Sequence, residues 1–238
     1  MEPDKKRPKI MYDEFTINPN KNQNILIIGK RGTGKTTLIK KFIGTKQKDY
    51  ILEIYNEQLN EYDTNKYNVY NSIDDLGKDF FDNVENDKKS NCGYLYNNKN
   101  EKNVFSSEVR TFTFAKRIEM AHSSNIVIEN YPNIFNYDNN YIKQFIFNSR
   151  SNKSSFIVSQ QYPENIKPEY RCNFDYIFIG RCENTHNLKN IYKWYGNMFP
   201  SFDDFINAYQ CITKNNRFMV INQFAHTNDL SKIIFVYN

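Results

Sequence analysis

Cysteine pairs, long apolar runs and base-reading motifs are missing from this chain of 238 residues, and each absence excludes a class of protein. The four cysteines form no C-x-x-C pair and no secretory signal precedes them, so we expect reduced thiols, no zinc site and a protein that is not secreted. No apolar run is long enough to span a bilayer, which predicts no membrane span. Without a helix-turn-helix signature, a zinc finger or an aromatic RNA-binding box, no sequence-specific reading of nucleic acid is expected.

The chain also lacks an internal repeat and a Gly/Ser-rich linker, which indicates one domain. Residues 1–20 contain Pro3, Pro8 and Pro19 and are predicted to form an extended arm, so the predicted domain covers residues 21–238. The formal net charge of +5 is compatible with a polyanionic partner but is too small to identify one.

What the sequence does contain is a glycine-rich loop between an aliphatic run and a stretch with helical spacing. The loop fits G-x-x-x-x-G-K-[ST] at every fixed position. Its three glycines are expected to adopt positive φ angles and to turn backbone N–H groups toward a polyphosphate, assisted by the helix dipole. Lys35 would bind the β- and γ-phosphates of ATP, and the hydroxyl of Thr36 would be a Mg²⁺ ligand. The predicted nucleotide-binding residues are Gly29, Lys30, Arg31, Gly32, Thr33, Gly34, Lys35, Thr36 and Thr37.

Strand and helix patterns alternate along the chain. Strands are predicted at about 24–29, 50–55, 125–130, 155–159 and 174–180, and helices at about 35–44, 74–86, 106–121 and 141–149. Helices at about 186–196 and 202–211 and strands at about 217–222 and 232–237 follow, the strands at a sheet edge. Residues 56–73 are predicted to have weak structure and residues 86–103 to form a long polar loop. The alternation predicts an α/β fold with a doubly wound, mostly parallel sheet flanked by helices.

A phosphate loop that supports hydrolysis also requires a carboxylate at the end of a neighbouring strand. Glu129, which follows the aliphatic run 126–128, is the convincing candidate and is predicted to serve the Mg²⁺ ion. Asn130 stands where many ATPases carry a second acid, and an amide cannot accept a proton. Either Glu129 performs both tasks, or another acid such as Glu53 supplies the base, or hydrolysis is slow.

Gln160 and Gln161 follow the next predicted strand, at the edge of the sheet where ligands bind. A Gln amide in this position can donate to the γ-phosphate and accept from the attacking water. The same residue type is also common in a surface turn before a proline, here Pro163.

Three segments together resemble the FtsK–HerA superfamily of DNA-pumping ATPases, with the closest likeness to the genome-packaging branch of poxviruses, giant viruses and virophages. The segments are IIGKRGTGKTTL, NIVIEN and RSNKSSFIVSQQYPENIKPEYRCNFDYIFIG. The pattern of that branch is matched around the strand predicted at about 155–159. Arg150 precedes this strand, Gln161 ends it, Pro163 follows shortly after, and Arg171-Cys172-Asn173 precedes the next strand. The chain departs from the branch at Asn130, where a second acid is usual, and at Ser151, where His is frequent.

The resemblance implies a RecA-like (ASCE) P-loop NTPase that uses ATP and Mg²⁺ to pump double-stranded DNA, without reading its sequence, into a viral capsid. It implies a homo-oligomeric ring, a hexamer, that works with capsid components in the host cytoplasm or the virion. Lys35, Glu129 and Gln161 would be catalytic. Either Arg150 or Arg171 would reach the γ-phosphate of the next subunit, and motif position ranks both above Arg181.

Two other functions use the same loop. One is a helicase or a nucleotide kinase, although a kinase requires an Arg-rich lid and no such Arg cluster is present. The other is a non-catalytic module in which ATP controls assembly, and Asn130 is the feature that favours it.

Overall fold

Eight strands form one sheet in the part of the chain that the computed structural model describes, which comprises residues 12–18, 21–43, 48–53, 68–70, 72–86, 124–129, 135, 140–150 and 153–238. The strands are β1 (Asn24–Ile28), β2 (Lys48–Glu53), β3 (Asn68–Tyr70), β4 (Ser124–Glu129), β5 (Ser154–Gln160), β6 (Tyr176–Ile179), β7 (Phe218–Asn222) and β8 (Ile234–Tyr237). Their order in the sheet is β3-β2-β4-β5-β1-β6-β7-β8. All pairings from β3 to β6 are parallel, and β7 is antiparallel to both β6 and β8, so the predicted mostly parallel sheet is confirmed.

Helices connect most of these strands. They are α1 (Lys35–Phe42), α2 (Ile73–Asn86), α3 (Asn140–Asn148), α4 (Pro168–Arg171), α5 (Thr185–Tyr195), α6 (Phe202–Ile212) and α7 (Leu230–Ile233), with 3₁₀ turns at Pro163–Asn165 and Lys214–Asn216. Local capping explains where two of them begin. The Asn184 side chain accepts hydrogen bonds from backbone N–H groups at the start of α5, and Ser201 does the same for α6.

The sheet is buried on both faces, which explains why its central strands are nearly continuous aliphatic runs. Ile25 and Ile27 of β1 belong to one core, together with Leu38 of α1. Leu26 and Ile28 point to the other core, which includes residues of α3, α5 and α6. The alternation along a single strand therefore assigns each residue of the sheet to the face of α1 or to the opposite face.

One predicted segment differs from the structure. Residues 56–73 are predicted to have weak structure, but Asn68–Tyr70 forms β3, which pairs in parallel with β2 at the edge of the sheet. A strand of three residues carries too little periodicity to be recognised, and its pairing with β2 is what stabilises it. The predicted helix at 106–121, and all but residue 86 of the predicted loop at 86–103, lie outside the described residues.

Residues 12–18 extend the other edge of the sheet. The Phe15 N–H donates to the carbonyl of Val236 at 2.7 Å, and the Val236 N–H donates to the carbonyl of Asp13 at 2.9 Å. The Phe15 ring packs edge-on against Tyr176 of β6. Within the described ranges, no helix combines the length and apolarity needed to cross a bilayer.

Candidate active site

The glycine-rich loop joins β1 to α1 as the sequence predicts. Gly32 and Gly34 have φ angles of 80° and 85°, a conformation that side chains disfavour. Gly34 is the N-cap of α1, and the helix has neither a side-chain cap nor an acidic residue in its first turn. An uncapped helix start with the positive end of its dipole toward a concave loop is a site for an anion.

Gly29 has a different role from the one predicted. Its φ is not positive, so the expectation that all three glycines adopt the left-handed region is wrong for this one. A Cβ at Gly29 would lie 2.6 Å from Thr33 Oγ1, which in turn donates to the carbonyl of Lys30 at 2.8 Å. Glycine is therefore required here because the loop folds tightly over its own first residue, and Thr33 stabilises that fold.

The ammonium group of Lys35 lies inside the loop. Its Nζ donates to the carbonyls of Gly29 at 2.8 Å and of Lys30 at 3.1 Å, and the residue is buried. These two contacts hold the positive charge where the loop can present it to an anion. Arg31 and Thr37, in contrast, are exposed, and the Lys30 ammonium lies 3.2 Å from Glu183 Oε1 in a solvent-exposed pair.

Thr36 and Glu129 meet although they are 93 residues apart. The Thr36 hydroxyl donates to Glu129 Oε1 at 2.6 Å. Glu129 is the last residue of β4 and is 1% exposed, and strand β5 lies between β4 and β1. A hydroxyl beside a carboxylate supplies hard oxygen ligands, which suit Mg²⁺ when the remaining ligands are phosphate oxygens and water. No group of three or more His, Cys, Asp or Glu side chains in the described residues forms a separate metal site.

The end of β5 lies between the phosphate loop and Glu129. Ile28 is in register with Gln160, and Glu129 is in register with Ser159. Gln160 is buried, and its carbonyl accepts the Gly29 N–H at 3.2 Å, whereas Gln161 is exposed just beyond the strand. Alternation places Ser159 on the face of α1, the same face as Glu129, and Gln161 lies in the bend that follows the strand.

Ser159 is a residue that the sequence analysis missed. It is fully buried, and its Oγ has no hydrogen-bond partner among the described residues. Native proteins rarely leave a buried hydroxyl unpaired. Its position beside Glu129 makes it part of this site. A Ser just before the two Gln residues was the available signal in the sequence.

Two further residues bear on the choice of a catalytic base. The backbone of Glu53, at the end of β2, is in register with that of Glu129, so neighbouring strands bring both residues to the same edge of the sheet. Asn130 lies outside the described residues.

Arg150 and Arg171 lie at the opposite edge of the sheet. Both precede parallel strands, β5 and β6, whereas the phosphate loop follows β1. Arg150 Nη2 donates to Asp175 Oδ1 at 2.5 Å, and its guanidinium stacks on Phe224 at 4.6 Å. The structure thus separates both arginines from the loop of their own chain, whereas Arg181, which follows β6, lies on the loop's edge.

Asp175 is the buried partner in this arrangement. Its Oδ2 accepts the backbone N–H of Asn24 at 2.8 Å. Burial raises the pKa of Asp175 above its usual value, although the Asn24 N–H and the Arg150 guanidinium both favour the carboxylate form. The cluster ties together the amino ends of β1 and β6 and the chain just before β5, and it is structural rather than part of the nucleotide site.

The arrangement of loop, strand order and acid is that of the P-loop NTPase fold. No family model matches the chain. The uncharacterized protein L437 of Acanthamoeba polyphaga mimivirus is 29% identical over 94 residues, which is 40% of this chain and 33% of that protein, so the match spans about a third of the relative. The uncharacterized protein 075L of Invertebrate iridescent virus 6 is 27% identical over 236 residues, 91% of this chain and 80% of that protein.

Solved structures share the fold over almost the whole chain. The genome-packaging NTPase B204 of Sulfolobus turreted icosahedral virus 2, with sulfate, has a TM-score of 0.60 at 16% identity and covers 93% of this chain and 98% of its own. The pCW3 conjugation coupling protein TcpA, with ATPgS, has a TM-score of 0.55 at 15% identity and covers 92% of this chain and 60% of its own. The predicted fold class and the predicted resemblance to viral genome-packaging ATPases are confirmed at the level of the fold.

Proposed function

We propose that this chain is an ATP-hydrolysing motor that translocates double-stranded DNA into a viral capsid. The observation that carries the proposal is the 2.6 Å hydrogen bond between Thr36 and Glu129. A glycine-rich loop alone can bind phosphate. A buried acid that reaches across β5 to the hydroxyl of that loop adds what metal-dependent hydrolysis needs.

Each residue of the site then has a task. Lys35, held by the loop carbonyls, binds the β- and γ-phosphates of ATP and exchanges those carbonyls for phosphate oxygens. Thr36 and Glu129 would hold Mg²⁺, and the ion would neutralise charge on the phosphate oxygens. Gln161 orients the attacking water between the γ-phosphate and Glu129.

Two residues are candidates for the catalytic base. Glu129 is buried and its Oε1 already accepts a hydrogen bond from Thr36, the proposed metal ligand, which suits this carboxylate to the metal. Glu53, in register with Glu129, is the second candidate and could take the proton of the water. Glu53→Gln and Glu129→Gln, compared in single turnovers, distinguish the two.

The likeness of the fold and the position of the arginines support the proposed partners. Because Arg150 and Arg171 lie far from the phosphate loop of their own chain, a nucleotide contacted by either one would be bound to a neighbouring copy, as in a homo-oligomeric ring such as a hexamer. The likeness to B204, described as a DNA-packaging ATPase, supports double-stranded DNA and capsid components as partners, in the host cytoplasm or the virion. A phosphate-directed grip on DNA requires no base reading.

The test is ATP turnover with and without linear double-stranded DNA, for wild type, Lys35→Ala and the control Lys41→Ala. Lys41 is an exposed residue of the same helix. Its Nζ donates to the Asn238 carbonyl at 3.3 Å and lies 4.9 Å from the centroid of the Tyr237 ring. We expect DNA to stimulate ATP turnover in wild type and in Lys41→Ala. Lys35→Ala should lower ATP turnover at least about 100-fold.

Other outcomes would contradict the proposal. ATP binding without turnover, with DNA present and the protein assembled, would indicate a nucleotide-gated assembly module. Turnover that ignores DNA and transfers phosphate to a nucleotide acceptor would indicate a kinase.

A further inference from the structure

A cavity of about 590 Å³ opens at the edge of the sheet opposite the phosphate loop. It lies among α4, the end of α5, the turn after β7 and α7, and its wall includes Arg171, Lys193, Trp194 and Tyr195. The five residues of β1 separate the two edges by about 15 Å. The cavity is thus distinct from the nucleotide site, and its volume is in the range of small-molecule sites.

The charge in this cavity is entirely positive. Arg171 and Lys193 line it, and no Asp or Glu of the described residues does. Arg171 Nε donates to the carbonyl of Ile166 at 2.7 Å, and its guanidinium stacks on the Trp194 ring at 3.8 Å from the centroid. The two contacts fix the plane of the guanidinium, and its Nη groups have no carboxylate partner in the described part of the chain. Burial lowers the pKa of Arg171, as expected for a cation without a counter-charge.

A buried polar atom lies beside this cation. Tyr195 is 1% exposed, and its hydroxyl has no hydrogen-bond partner among the described residues. Burial raises the pKa of Tyr195 above its usual value, and the Arg171 charge acts against that increase, so the hydroxyl stays protonated and able to donate. A buried donor without an acceptor is costly, and an anion that also contacts the Nη groups of Arg171 would supply that acceptor.

The remaining polar groups of the cavity wall limit the chemical class of the ligand. Asn222 Oδ1 accepts the Phe224 N–H at 3.0 Å, which leaves its amide N–H groups as donors on the cavity wall. A planar guanidinium edge, an ammonium and neutral donors around one space match an anion with several oxygens and more than one negative charge. We propose that this cavity is a second phosphate-binding site, which takes a phosphate group carried by a nucleic-acid backbone or by a small phosphate compound.

Trp194 reports on the site directly because it is the only tryptophan of the chain. Its fluorescence would be titrated with inorganic phosphate, pyrophosphate and a short DNA duplex, each in the presence of saturating Mg·ADP. We expect a saturable change in emission. Arg171→Gln and Lys193→Gln should each weaken binding of the probe, read from this titration, by about tenfold or more. Their controls are Lys189→Gln, at an exposed residue, and Arg217→Gln, at a half-buried residue. Both lie outside the cavity and should leave the emission response unchanged.

Tyr195→Phe separates binding from folding. Removing the unpaired hydroxyl should maintain or increase the free energy of unfolding and should still weaken phosphate binding, a combination that a purely structural tyrosine would not give. A response to duplex that phosphate competes away assigns the ligand to nucleic acid, and a response to phosphate and pyrophosphate alone assigns it to small phosphates.

Three results would overturn the proposal. The first is that none of the three probes changes the emission. The second is that folded Arg171→Gln and Tyr195→Phe respond as wild type does. The third is that the response disappears in Lys35→Ala and so belongs to the phosphate loop.

Discussion

Removing the hydroxyl of Ser159 is expected to make the protein more stable. Its Oγ is buried without a partner among the described residues, and such a group costs roughly 1–3 kcal/mol. Alanine leaves a void of about one oxygen atom, which costs less than roughly 1 kcal/mol. The difference predicts that Ser159→Ala raises the free energy of unfolding by about 1 kcal/mol, and the Tm by about 2–4 °C for a chain of this size.

The same substitution is expected to lower activity. Ser159 is in register with Glu129 and lies on the face of α1, so its hydroxyl can donate to a water or a phosphate oxygen brought beside the carboxylate when nucleotide binds. Losing that donor should reduce ATP turnover by at least about tenfold. A gain in stability together with a loss in turnover is the mark of a polar group retained for function.

Ser155→Ala is the matched control for both measurements. Ser155 is buried on the same strand and face, but its Oγ accepts the Gln23 N–H at 3.1 Å and donates to the Lys21 carbonyl at 3.4 Å. This variant should lose about 1 kcal/mol of stability. Urea unfolding and phosphate release would be measured on both. If Ser159→Ala were destabilised as much as Ser155→Ala, the hydroxyl would be bonded in the folded protein and the reasoning would fail. Higher stability with unchanged turnover would refute the functional part alone.

Three further substitutions test other parts of the structure. Glu129→Gln should keep ATP binding in calorimetry but lose turnover by at least about 100-fold, and substantial remaining turnover would assign the chemistry to another acid. Gly34→Ala, at a φ of 85°, should cost roughly 1–2 kcal/mol in urea unfolding and weaken nucleotide binding, whereas an unchanged midpoint would show that the loop can rearrange. Because burial raises the pKa of Asp175, the folded protein retains a proton that the unfolded chain has released, so stability should fall as pH rises above about 4 toward the raised pKa. Asp175→Asn should remove this fall from the pH dependence of the urea midpoint. A variant with the same pH profile as wild type would show that Asp175 does not cause the fall.

Much of the fold and half of the site can be predicted from local sequence. The loop from Gly29 to Thr36 has fixed spacing because backbone geometry around a phosphate dictates it, and Glu129 follows an unmistakable buried strand. The parallel sheet follows from the alternation of strands with helices. These features depend on residues that are neighbours along the chain.

The parts that could not be predicted depend on contacts between distant residues. The role of Gly29 follows from its approach to Thr33, which a motif does not express. Ser159 is unpaired only because β5 is buried between β4 and β1. The partner of Arg150 is Asp175, which reaches it through the parallel register of three strands. The sequence does show whether an Arg precedes or follows a predicted strand, and hence at which edge of the parallel sheet it lies. This signal separates Arg181, which follows β6, from Arg150 and Arg171, which precede strands.

Arg150 and Arg171 differ in what an action on a neighbouring subunit would require. To leave its position, Arg150 must abandon a carboxylate that is 2% exposed, and Asp175 would keep the Asn24 N–H as its hydrogen-bond donor among the described residues. Uncovering a buried charge is strongly destabilising, even though the exposed guanidinium weakens the pair itself. Arg171 is held by a neutral carbonyl and an aromatic ring. Its Nη groups can therefore contact an anion without leaving a buried charge unpaired. We therefore expect Arg150 to hold the amino ends of the strands together, and Arg171 to be the arginine of this edge that contacts phosphate.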